Sequence, residues 1–106
     1  MQRLVEQPAD VGEVFGGSAR IGRVHYHLAV YQTFSEMEGD PVPTHFEVEG
    51  RITPVEHVDM TSLHQQAAEL TLYLADGRRL DFSIANAKGT IRSTGRGLYS
   101  VAEAMG

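Results

Sequence analysis

Cysteine is absent from the 106 residues. That excludes a disulfide framework, a thiolate zinc site and thiol chemistry. It also fits a reducing compartment, so the cytoplasm is the expected location. The opening stretch MQRLVEQPADVGEVF has scattered charges and lacks the apolar core of about 7–15 residues that marks a signal peptide. No apolar run reaches the ~20 residues that a membrane span requires. Neither a leader nor a membrane partner is expected. Internal repeats at solenoid spacing and low-complexity segments are lacking as well.

What is present describes an ordinary globule. The length suits a single domain, 1–106, able to bury about two thirds of the surface its unfolded chain exposes. The hydrophobic share is 42% and the charged share 22%, which a core without staples can accommodate. A net charge of −5 disfavours a bulk polyanion such as nucleic acid. The charge is uneven. Residues 1–77 hold four basic and twelve acidic side chains, whereas residues 78–106 hold five basic and two acidic ones.

Alternation dominates the chain. In residues 20–34, Val24, Tyr26, Leu28, Val30 and Phe34 share one face, and Arg23, His25, His27, Ala29, Tyr31 and Thr33 share the other. That is a half-buried strand. Residues 44–53 repeat it, with Phe46, Val48 and Ile52 inward. The intervening SEMEGDPVP reads as an exposed hairpin loop. Leu70, Leu72 and Leu74 alternate before Ala75-Asp76-Gly77, and Leu80, Phe82 and Ile84 alternate after it. A two-residue Asp76-Gly77 loop would set Leu72 against Asp81. A three-residue loop sets Leu72 against Leu80 and Leu70 against Phe82, all on one face, with Gly77 in the left-handed position. RLVE and VGEVFGG are weaker strand candidates, and Ile91 is the inward residue of a short strand within 87–96. Residues 58–68 break the alternation and suit a short helix capped by Asp59 or Thr61. The tail LYSVAEAM suits one or two further helical turns. The expected fold is all-β and mainly antiparallel: a small barrel or sandwich of about six short strands with one or two short helical segments.

His25 and His27 fall on the polar side of their strand. Keeping the apolar faces of 20–34 and 44–53 together allows two nearby registers. One sets His27 opposite Glu49 and His25 opposite Arg51; the other sets His27 opposite Glu47 and His25 opposite Glu49. A solvated charge ladder is the plain consequence. A metal site built from His25, His27 and Glu49 is the sharper one. The cupin arrangement, which adds a glutamate four or five positions later, fails because Tyr31 and Gln32 stand there.

The basic end supplies Arg78, Arg79, Arg92 and Arg96 as candidates for an anion or nucleic-acid site. GTIRSTGRG departs from the Walker A spacing in length, and Arg96 stands in place of its lysine. No serine sits in a nucleophile elbow, and no catalytic residue is expected. The preferred function is a small non-catalytic binding or protein-interaction module that self-associates, a homodimer being the simplest form. Tyr31, Thr71 and Tyr73, with Ala75, form its expected contact surface. No cofactor is expected beyond the metal alternative.

Overall fold

The computed structural model describes residues 2–37, 39–66 and 69–100, the side chain of residue 37 excepted. Among them, strands run Gln2–Glu6 (β1), Ala9–Gly16 (β2), Ala19–Met37 (β3), Asp40–Pro54 (β4), Leu70–Tyr73 (β5), Arg78–Ile84 (β6), Thr90–Ser93 (β7) and Tyr99–Ser100 (β8). A helix, Met60–Gln66 (α1), lies between β4 and β5. Its N-cap is Asp59, whose carboxylate accepts the Ser62 N–H at 3.0 Å.

Every strand pairing is antiparallel. The neighbours run β3–β2–β5–β6–β7–β4, and β4 returns to β3, so six strands close a ring. This is the expected small all-β architecture. β1 continues along the β3 edge beyond β2, and β8 adds to β6.

The alternation in the sequence maps directly onto the core. Val24, Tyr26, Leu28 and Val30 of β3 are buried with Val48 and Ile52 of β4, Leu70 and Leu72 of β5, Leu80, Phe82 and Ile84 of β6 and Ile91 of β7. The β5–β6 hairpin has the three-residue loop that parity requires. Leu72 faces Leu80, Leu70 faces Phe82, and Gly77 has φ of 92°. Closing so small a ring brings backbones together at two inward glycines. A Cβ on Gly12 would lie 2.3 Å from the Tyr73 carbonyl oxygen, and one on Gly50 would lie 2.2 Å from that of His27.

Three expectations are corrected. The exposed hairpin loop expected at 35–43 is mostly strand among the described residues, because β3 and β4 stay paired to Met37 and Asp40, with Glu36 opposite Pro41 and Phe34 opposite Pro43. Two prolines two residues apart direct their missing N–H groups to the same side of a strand. On an outer edge that costs no ladder bond, and β4 meets β7 only at Glu49–Arg51. Phe46 is exposed rather than buried, because this distal β3–β4 arm extends past the ring; the Gly97 backbone packs against the base of its side chain and leaves much of it open. Tyr99 and Ser100 are strand rather than helix, paired with Arg79 and Arg78; the rest of the expected terminal helix lies outside the described residues.

Tyr26 ends the core with its ring buried and its hydroxyl accepting the Ala75 N–H at 3.1 Å. Burial raises the pKa of this phenol and also that of Tyr99. A raised folded-state value stabilises the fold fully below the ordinary phenol value of about 10 and is lost as pH rises through the folded value. The melting temperature is therefore expected to fall above that pH. Tyr26→Phe should blunt the fall in a thermal series across alkaline pH; an unaltered slope would contradict the assignment.

Candidate functional site

The ring positions side chains by parity, so odd residues of β3 and β4 look outward together. His25 and His27 are exposed on that face. His27 lies opposite Arg51 and His25 opposite Thr53. Across the other edge of β3 they face Ala9 and Val11. The expected registers, which set a carboxylate against one or both imidazoles, are thus wrong, the first by two residues and the second by four. Next to the turn Met37 pairs with Asp40, an odd sum, and a bulge between Gln32 and Phe34 restores the even register beside the ring and sets which residues meet. Glu49 sits opposite Ala29, one pair beyond His27, and opposite Arg92 on β7. Among the described residues no three His, Asp or Glu side chains converge as a metal-ligating group. Elsewhere, His45 Nε2 lies 3.2 Å from Glu47 Oε1 on one strand face, and Asp59, two residues after His57, caps α1.

The four arginines expected to form one anion site are separated. Arg78 donates to both carboxylate oxygens of Glu6, at 2.6 and 3.2 Å, and its Nε donates to Asp76 at 2.8 Å. The Glu6 contact leads in holding its guanidinium above the ordinary arginine pKa. The Arg79 guanidinium lies 4.0 Å from the Tyr73 ring centroid, and that of Arg96 lies 3.8 Å from Tyr99. Both are cation–π contacts. Arg92 stands apart on β7.

The expected contact surface also divides. Tyr73 is stacked on Phe15, ring centroids 4.4 Å apart, beneath Arg79. The Thr71 hydroxyl donates to Asp81 at 2.9 Å, and the Tyr99 hydroxyl donates to the same oxygen at 2.8 Å. Thr71 and Tyr73 therefore belong to a polar and aromatic brace on the outside of β2, β5, β6 and β8. Ala75 is exposed in the hairpin turn. Tyr31 lies elsewhere, on the arm, opposite Leu4 of β1 and Glu47 of β4.

The arm collects the exposed apolar groups. Leu4 and Val5 of β1, and Val42 and Phe46 of β4, are four of the five large hydrophobic side chains exposed among the described residues; Val55 is the fifth. The arm has two outer edges. The β4 edge carries Pro41 and Pro43, which cannot donate to an added strand. The β1 edge carries no proline; β1 pairs with β3 on one side and, among the described residues, with no strand on the other. Sequence reasoning took RLVE as a weak strand and attached no function to it. Its signal is a short strand that combines adjacent apolar residues with one charge of each sign.

No protein-family model matches the chain, and neither does any curated protein or solved structure.

Proposed function

We propose that the protein is a small non-catalytic interaction module that self-associates, two copies meeting edge to edge along β1. One observation carries this reading: a strand edge left open among the described residues and flanked by exposed Leu4 and Val5. An open row of backbone donors and acceptors is a template for a further strand. A second copy of the same strand closes the pair by two-fold symmetry. An axis normal to the sheet keeps each side chain on its own face, so Leu4 meets its own counterpart. A chain without cysteine relies on non-covalent contacts of this kind in a reducing compartment, and the cytoplasm remains the proposed location.

Sedimentation velocity over a concentration series tests the proposal. The wild-type chain should sediment above its 11.6 kDa monomer mass as concentration rises. Leu4→Lys, a charge on the exposed edge, should hold the protein monomeric with its melting temperature retained. A wild-type monomer at the highest concentration would overturn the reading. So would a Leu4→Lys variant that associates as the wild type does.

A further inference from the structure

A groove of about 900 Å³ opens on the outer face of β3 and β4, bordered by β2 and β7, and it gathers cations that the rest of the fold leaves uncommitted. Arg51, Arg92, His25 and His27 all line it. Among the described residues none of the four forms an ion pair, and their side chains make no hydrogen bond. Arg20, Arg78, Arg79 and Arg96, by contrast, are engaged with carboxylates or rings.

We propose that this groove binds a small oxyanion ligand, a phosphate or carboxylate group on a compact molecule, held between Arg51 and Arg92 with the His25 and His27 imidazoles as further donors. Register places these groups together. Arg51 is opposite Thr90, and Glu49 is opposite Arg92, so the two arginines are diagonal neighbours across β4 and β7. Such neighbours lie about 7–8 Å apart at the backbone, within reach of long side chains converging on one group. A guanidinium presents paired donors that match carboxylate and phosphate oxygens. On the other side of Arg51 stands His27, and Thr53 stands opposite His25. Thr53 and Thr90 add hydroxyls to the lining.

The groove also sets an upper limit on its ligand. Glu49, directly opposite Arg92, and Asp10 also line it. A compact anion can seat against Arg51 and Arg92 while its remainder turns away from both carboxylates. A long polyanion would have to pass them, and it would also meet the net charge of −5. This separates a small oxyanion from a nucleic-acid strand. The inference stands on the outer face of the ring and is independent of the β1 edge.

Calorimetric titration of the full chain with inorganic pyrophosphate, citrate and a single-stranded oligonucleotide provides the test, with two-dimensional NMR reporting the His25 and His27 rings. Saturable binding of pyrophosphate or citrate is expected, weakened by salt and accompanied by shifts of both rings. The tighter of the two probes identifies a phosphoryl or a carboxylate source. Arg51→Gln combined with Arg92→Gln should weaken binding by about tenfold or more with the melting temperature retained. Lys88→Gln, which removes a charge outside the groove, should leave it unchanged. The proposal is overturned by an absence of saturable binding, by equal affinity in the double variant, or by an oligonucleotide that binds more tightly than either small anion.

Discussion

Phe82→Ala is expected to lower stability by about 3–5 kcal/mol, measured by urea denaturation. The ring side chain is wholly buried, on a strand flanked on both sides. It faces Leu70 on β5 and Ser93 on β7, and its neighbours along β6, Leu80 and Ile84, are buried with it. A closed ring resists collapse around a void, because each strand is held by two others. Domains of this class have about 5–15 kcal/mol in total, so the variant should retain a small remainder or unfold at ambient temperature. Leu4→Ala, on the exposed arm, should change monomer stability by no more than about 0.5 kcal/mol. Comparable losses from the two variants would contradict the placement of the core.

Gly50→Ala should cost about 3 kcal/mol although it adds only one methyl group. The new Cβ would stand 2.2 Å from the His27 carbonyl oxygen and 2.9 Å from Leu28 Cα. Both are backbone atoms, which cannot swing aside as a side chain can. β3 must move away from β4, and that is the longest pairing in the fold. Overpacking of a rigid site costs about 1–3 kcal/mol and occasionally more; a backbone-on-backbone clash belongs at the upper end. Gly95→Ala is the internal control. Nothing lies within 4 Å of its Cβ position, and its φ is outside the positive region. It should be neutral or slightly stabilising. Matched melting temperatures for the two variants would show that β3 and β4 do not approach as described.

Period-two alternation identified the inward faces of β3, β5 and β6 because burial on one side of a pleated strand leaves a local signature. The Ala75-Asp76-Gly77 turn was legible for the same reason, since only one loop length keeps Leu72 and Leu80 on one face. Pro41 and Pro43 misled because proline reads as a break until its strand is known to lie on an outer edge. Phe46 misled because alternation marks two faces and cannot say where the opposing layer ends. Parity limited the β3–β4 register beside the ring to even sums, but which sum depends on where the hairpin turns and on the bulge between Gln32 and Phe34. Pairings remote in sequence left no local trace at all. Glu6 with Arg78, Phe15 with Tyr73 and Arg51 beside Arg92 exist because the ring closes. The candidate sites therefore came apart and reassembled: one arginine of the expected basic patch, Arg92, joined the histidines, and Tyr31 joined β1.

Amide hydrogen exchange along β1, followed at low and high protein concentration, tests self-association most directly. Alternate N–H groups of Gln2–Glu6 point away from β3, toward the open edge. Edge-to-edge pairing predicts that these amides exchange quickly in dilute solution and become protected as concentration rises, while the amides bonded to β3 stay protected throughout. Exchange of the outward amides at one unchanging rate across the series would contradict it.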